Sequence, residues 1–503
     1  MTHQSSHEHF DVLIVGAGLS GIGAAYHLQK NCPTKSYVIL EGRDRSGGTW
    51  DLFRYPGIRS DSDMYTLGYS FKPWTDAKAI ADGPAILKYV RETASENQID
   101  RNIRFGHMVK GASWSSEDAT WTVEAERAGG ERVRITCNFL FMCSGYYDYE
   151  GGYTPDFEGV SDFKGQIVHP QEWPEDLNYS GKRVVVIGSG ATAVTLVPEM
   201  AKDAAHVTML QRTPTYVVSR PEEDRFANWL RRNLPAKLAY GITRWKNVLF
   251  GMFFYNYCRT KPEKAKDLIL RGVREQLGPD FDVETHFTPN YNPWDQRLCL
   301  VPNGDLFKAL KEGSASVITD QIARFTEKGI LLKSGKELEA DIIVTATGLR
   351  LKVLGGLALT VDGREINLSE TMTYKGMMYS DVPNLASAFG YTNASWTLKC
   401  DLTCEYVCRL LNIMDERGMK QATPRLNDPE VQPEPWLDFS SGYVQRSIAM
   451  FPKQGTKKPW KLHQNYALDL MSLKFGQVED GVMEFSNGAS AKPATSEPER
   501  MAS

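Results

Sequence analysis

Phe10-Asp11-Val12-Leu13-Ile14-Val15-Gly16-Ala17-Gly18-Leu19-Ser20-Gly21 decides the fold: an apolar run enters a glycine-spaced turn and then a helical pattern that continues through Lys30. Strand, tight turn and helix in this order open a dinucleotide-binding unit. Gly16 permits the turn, Gly18 lets the backbone approach a pyrophosphate, and Gly21 allows close helix packing, while the helix N-terminus presents amide donors and the positive end of its dipole. Tyr37-Val38-Ile39-Leu40 is the next apolar run, and it ends in Glu41, where a carboxylate accepts both ribose hydroxyls of an adenosine.

A second copy lies downstream. Arg183-Val184-Val185-Val186-Ile187 runs into Gly188-Ser189-Gly190-Ala191-Thr192-Ala193, with alanine in the last fingerprint position. Here the following strand, Val207-Thr208-Met209-Leu210, ends in Gln211-Arg212-Thr213 instead of an acid. No carboxylate repels a 2′-phosphate, and the Arg212 guanidinium is suited to bind one. One such loop also fits an ordinary glycine turn; two, each with strand and helix and with divergent ribose residues, do not. The economical assignment is FAD in the first site and NADPH in the second.

The bulk properties agree. A chain of 503 residues exceeds one hydrophobic core, so two or three domains are expected. A net charge of −4 without a basic run argues against nucleic acid or anionic membrane as the main partner and favours small molecules. Met1 to His9 is polar and lacks an export core, which predicts a cytoplasmic protein, and His3, His7 and His9 are expected in a solvated, mobile leader. None of the 8 cysteines forms a Cys-x-x-Cys pair, so neither a disulfide framework nor thiol redox chemistry is expected. Cys400, Cys404 and Cys408 share a helical face but lack a fourth ligand, so they are expected to pack in a core, with no metal bound.

These signals give an α/β protein with two Rossmann-like dinucleotide-binding domains, one for FAD and one for NADPH, and a helical insertion in the second. Residues 1–150 form the N-terminal part of the FAD domain, closing at Phe139-Leu140-Phe141-Met142-Cys143-Ser144-Gly145, and 151–180 are a linker. Residues 181–220 and 291–348 form the NADPH domain, which the chain leaves at Asp341-Ile342-Ile343-Val344-Thr345-Ala346-Thr347-Gly348. Residues 221–290, rich in charge and aromatics, are the helical insertion. Its most apolar window, Val248-Leu249-Phe250-Gly251-Met252-Phe253-Phe254-Tyr255, falls far short of the roughly 18 residues a membrane span needs. A packed helix is the default there, with a peripheral membrane or substrate-access face as the alternative. Residues 349–487 return to complete the FAD domain and form a lid, and 488–503 read as a disordered tail.

Phe163-x-Gly165-x-x-x-His169-x-x-x-Trp173-Pro174, in the linker, resembles the fingerprint of the type I Baeyer–Villiger monooxygenases, with Trp173 where flavin-containing N- and S-oxygenases usually carry Phe or Tyr. Gly47-Gly48-Thr49-Trp50, Tyr55-Pro56-Gly57 and Asp61 complete a second signature of that family. Tyr291-Asn292-Pro293-Trp294-Asp295-Gln296-Arg297-Leu298-Cys299-Leu300 and Gly390-Tyr391-Thr392-Asn393-Ala394-Ser395-Trp396-Thr397-Leu398-Lys399 are similar to its ethionamide monooxygenase branch.

The resemblance implies that NADPH reduces FAD, that the reduced flavin captures O2 as a C4a-peroxyflavin, and that this attacks a ketone to give an ester or lactone. Thioether or thioamide sulfur is an alternative acceptor. It places Arg297 as the catalytic arginine and Asp61 as the acid that orients it. A lone guanidinium about 4 Å from an anion at an effective dielectric near 20 stabilises it by roughly 4 kcal/mol, and it never deprotonates. Arg59 and Ser60 are implied to lie against the nicotinamide, Thr49, Trp50, Asp51 and Leu52 to touch the flavin, Ser20 to sit at the pyrophosphate, and Val109 to meet adenine through its backbone. His169 is read as structural, coupling domain motion to cofactor state. Many family members carry lysine immediately before the arginine; Gln296 here leaves NADPH preference to Arg212 and Thr213. An N- or S-oxygenase without ketone activity and a non-catalytic flavin-binding protein are the competing readings.

Overall fold

The computed structural model describes residues 8–437 and 440–488. β1 (Glu8–Val15) starts ahead of the apolar run, so His9 sits in a strand, its Nδ1 2.9 Å from Thr136 Oγ1, and not in a mobile leader. His3 and His7 fall outside the described residues. Val12 to Val15 are buried because β1 is an inner strand of a nine-stranded sheet. α1 (Leu19–Asn31) leads to β2 (Tyr37–Leu40), parallel to β1, and β3 (Arg132–Met142) lies parallel on its other side. β3 also pairs antiparallel with Thr120–Arg127, which extends the sheet to His107–Ser115.

The chain crosses to a second sheet through β4 (Tyr147–Gly152). There β5 (Gln166–Val168), β6 (Arg183–Ile187), α2 (Ala191–Met200) and β7 (His206–Gln211) follow. The segment expected as a linker thus contributes a strand. After a short strand, Val217–Arg220, come three helices, α3 (Arg225–Asn233), α4 (Ala236–Thr260) and α5 (Pro262–Leu277), and the Asp224 carboxylate caps the first by accepting from Ala227 N–H. α6 (Asp305–Glu312) precedes Ala315–Thr319 and β8 (Ile342–Thr345). The strand order is Ala315–Thr319, β7, β6, β8, β5, all parallel. Such a sheet buries both faces, which is why Val184 to Ile187 are buried without alternation.

The return crossing, β9 (Leu349–Leu351), pairs antiparallel with β4, Leu349 opposite Gly152 and Leu351 opposite Tyr147. Both connections between the sheets therefore run side by side. The C-terminal third then gives strands back to the first sheet, Ala358–Val361 beside His107–Ser115 and Leu385–Ser387 beside β3. α7 (Trp396–Glu416) packs on α1 and buries Cys400, Cys404 and Cys408. The expected tail beyond Gly488 falls outside the described residues.

Candidate active site at the seam of the two sheets

A cavity of about 1000 Å³ spans the carboxyl ends of both sheets and is lined by both glycine loops. Parallel sheets of this kind receive ligands at that end. In the first loop Gly16 has φ +103°, and a Cβ there would lie 2.7 Å from the Cys143 carbonyl oxygen. A Cβ on Gly21 would lie 1.9 Å from the Gly16 carbonyl oxygen, so Gly21 sits behind the lining and lets the helix close on the turn. The Ala17 N–H donates to Glu41 Oε2 at 2.7 Å and the Arg43 N–H to Oε1 at 3.0 Å. Burial pushes the Glu41 carboxyl up, against the pull of these two amides.

Gly18, Ser20, Thr49, Trp50 and Val109 line the cavity with Glu41. The Ser20 hydroxyl accepts from the Trp396 indole N–H at 2.9 Å. Asp51 and Leu52, implied to touch the flavin, are not in the lining. Asp51 is buried and held by Arg43 and Arg91, each at 2.7 Å. A carboxylate clasped by two guanidiniums braces the loop.

The second loop differs in exposure. Gly188 has φ +136°, with a Cβ there 2.3 Å from the Ala346 carbonyl oxygen, but nothing lies within 4 Å of a Cβ placed on Gly190. Gly190 and Ala191 are exposed to the cavity, beside Ser189 and Thr192, whereas Ala193 is turned into the core. That open berth at a helix N-terminus suits a phosphate. Ser189 Oγ donates to the Thr213 carbonyl at 3.0 Å, tying the loop to the end of β7. Gln211 turns inward, its amide donating to the His286 carbonyl at 2.7 Å and to Thr319 Oγ1 at 2.9 Å. Arg212 and Thr213 are left exposed at the cavity wall, and Gln296 also lines it.

Arg297 and Asp61 meet between the loops. Arg297 Nε lies 2.8 Å from Asp61 Oδ2 and Nη2 lies 3.2 Å from Oδ1, a two-point pair that fixes the guanidinium plane. The Asp61 charge, opposed by burial, holds Arg297 above its ordinary value, so it carries its charge at every working pH. Arg59 pairs with Asp305 in the first turn of α6 and lines the cavity; Ser60 is buried beside it, its Oγ accepting from Ser62 N–H at 2.9 Å.

The residues that sequence reasoning missed are aromatic. Tyr146, Tyr147 and Tyr443 surround Arg297 in the lining; burial pushes Tyr443 up to about 12, and Tyr146 well above its ordinary value. All stay neutral near pH 7. The Tyr146 ring stacks on Trp396 at 5.2 Å, and Trp396 donates to Ser20, so a side-chain path joins Arg297 to the first loop. Behind Arg297 a second cavity of about 50 Å³ is lined by Phe389, Tyr391, Leu437 and Val444 among others. Tyr146 follows the carboxyl end of a parallel strand and was findable by that rule. Tyr443 and Arg446, the latter 3.5 Å over the Tyr153 ring, carry no comparable signal.

None of the four linker residues lines the cavity. Phe163 packs against Phe325 in the core of the second sheet, Trp173 packs on that sheet's other face, and a Cβ on Gly165 would lie 2.3 Å from the Asp341 carbonyl oxygen. His169 Nδ1 accepts the Gln171 N–H at 3.1 Å, which leaves Nε2–H to donate to the Gly348 carbonyl at 3.3 Å. A Cβ on Gly152 would fall 1.8 Å from its ring. His169 therefore touches both crossings at once, and burial lowers its pKa. Among the described residues no cluster of three or more His, Cys, Asp or Glu is arranged to hold a metal.

A flavin-binding monooxygenase-like family model matches residues 75–354, and an NAD(P)-binding Rossmann-like domain model matches residues 14–80. The chain is 54% identical over 490 residues to the FAD-containing monooxygenase EthA of Mycolicibacterium smegmatis, covering 97% of this chain and 99% of that protein. It is 53% identical over 488 residues to the putative FAD-containing monooxygenase MymA of Mycobacterium tuberculosis, covering 96% and 98%. Among solved structures, an oxidized steroid monooxygenase bound to NADP shares the fold with a TM-score of 0.73 at 22% identity, over 95% of this chain and 100% of that one.

Proposed function

Because this chain belongs to the flavin-binding monooxygenase-like family, we propose that its FAD- and NADPH-dependent monooxygenase chemistry inserts one oxygen atom of O2 beside a ketone carbonyl. The balance is ketone, O2, NADPH and a proton giving ester or lactone, NADP+ and water. Thioether or thioamide sulfur is a second acceptor. The observation that carries the reading is the Arg297–Asp61 pair standing in one cavity with both glycine loops.

In this reading Gly16, Gly18, Ser20, Glu41, Thr49, Trp50 and Val109 hold FAD, and Gly188 to Thr192 with Arg59, Ser60, Arg212 and Thr213 hold NADPH. The two cofactors supply hydride transfer and oxygen activation. The chain supplies position and charge. Asp61 orients the guanidinium but also cancels part of its field. An anion about 4 Å from Arg297 and about 7 Å from Asp61 gains roughly 2 kcal/mol at an effective dielectric near 20, half the value for an unpaired arginine. That remainder acts where negative charge develops as oxygen adds to the carbonyl, and the neutral tyrosines exclude water around it.

The test is product identity. Purified holoenzyme given a simple methyl ketone and NADPH is expected to release the ester, seen by gas chromatography with one NADPH consumed per ester. Sulfoxide from a thioether with no ester from any ketone would replace this reading by an N- or S-oxygenase, and no NADPH-dependent O2 uptake would replace it by a binding protein.

A further inference from the structure

Every charged side chain between Asp224 and Glu263 is basic, in a chain whose net charge is −4. This stretch forms α3 and α4. Leu238, Ile242, Trp245, Leu249 and Phe253 recur every three or four residues along α4 and are all exposed, from 38% to 67%. They make one stripe on the outer face, while Ala239, Tyr240, Thr243, Arg244 and Val248 are buried inward. Phe226 and Trp229 of α3 stack on each other beside the stripe, both exposed, with Lys246 Nζ 5.3 Å over the Phe226 ring. On the other flank Trp245 meets Tyr466 at 5.8 Å, and Leu468, Met471 and Phe475 beyond it are exposed too. An apolar surface continuous across three segments is not the scatter of single exposed residues normal for a monomer.

The charges choose the occupant. Arg232 and Lys237 are exposed where α3 and α4 meet, at one end of the stripe, and Arg225 is exposed at the opposite end of α3. A second copy docked by twofold symmetry would set cations against cations, either their own images with the helices parallel or the exposed Lys261 end of α4 with the helices antiparallel, which costs energy, whereas phosphate headgroups would pair with them. Tryptophans with basic residues beside an aliphatic stripe are the composition of a helix lying in a bilayer interface. No helix among the described residues is long and apolar enough to cross a membrane. We propose that the outer face of α3 and α4 docks the protein on an anionic lipid surface. The inner face of α4 adds a reason: Val248 and Met252 pack with Tyr391 and Ala394, which line the small cavity behind Arg297. Docking would put lipid one helix away from that cavity. The inference does not depend on the flavin reading.

Flotation of the full-length holoprotein with vesicles tests it. Binding is expected to phosphatidylglycerol–phosphatidylcholine vesicles, much weaker to phosphatidylcholine alone, and reduced by salt. Leu249→Asp with Phe253→Asp is expected to lower partitioning tenfold or more on the order of the lost apolar burial. Arg225→Glu with Arg232→Glu and Lys237→Glu should lower it about a hundredfold on anionic vesicles. Both variants should keep the wild-type NADPH oxidation rate without vesicles. Absence of wild-type flotation on either vesicle, or binding insensitive to salt and to both variants, would overturn the proposal. So would a concentration-dependent dimer in sedimentation that Leu249→Asp abolishes, since a second copy would then cover the face.

Discussion

The two glycine loops share a turn yet differ in how the protein closes on them. The first is walled in: Leu19, Ser20 and Gly21 are buried, the Glu41 carboxylate grips its Ala17 amide, and α7 lies across its helix. The second is open: Gly190 and Ala191 are exposed and a Cβ at Gly190 would meet nothing. A site held from every side keeps its ligand, and a site with one free wall exchanges it. In the proposed assignment this is the difference between a resident FAD and an NADPH that binds and leaves.

Substitutions break that comparison by different amounts. Arg297→Ala, at the point where the two sites meet, should cut ester formation about 10²- to 10³-fold while NADPH still reduces the flavin at near the wild-type rate, separable by stopped-flow absorbance. Gly21→Ala forces a Cβ to 1.9 Å from the Gly16 carbonyl oxygen. It is expected to yield protein purified largely without flavin, destabilised by about 1–3 kcal/mol in denaturant unfolding. Arg212→Ala should raise KM for NADPH by about tenfold or more and leave KM for NADH nearly unchanged; equal effects would remove the phosphate from Arg212. Gly190→Ala, with no protein atom to strike, should leave flavin content and unfolding untouched and change only KM for NADPH.

The smallest effect concerns the contact between the halves. Burial lowers the His169 pKa, so its neutral form favours the folded state; that stability is present above the ordinary imidazole value near 6.5 and is lost as pH falls through the lowered folded value. Thermal unfolding followed from pH 7.5 down to 5.5 should show a decline that His169→Gln flattens.

What the sequence made legible follows the range of the interaction. The turns at Gly16 and Gly188, Glu41 at a strand end and the solvent-facing Arg212 are set within about one βαβ unit, where spacing dictates geometry. Arg297 and Asp61 were legible through motif resemblance, although their separation of 236 positions hides their contact. Asp51 shows the limit: its motif is intact, but its side chain pairs with Arg91, from a helix 40 residues on, and does not line the cavity. Tyr443 lies farther still, in a segment with no periodicity to aim it. His9 was misplaced because a polar leader reads alike whether or not its backbone finds a neighbouring strand, and Thr136 supplied one.

A hinge of one strand is a swivel; this molecule has a hinge of two. β4 and β9 are hydrogen-bonded to each other as they pass between the sheets, with His169 wedged where they meet. Such a double-ply strap folds along its width but resists torsion, so any opening of the seam is a clamshell movement. In the proposed assignment, the hydride donor and its acceptor would then separate and come together again without losing their facing.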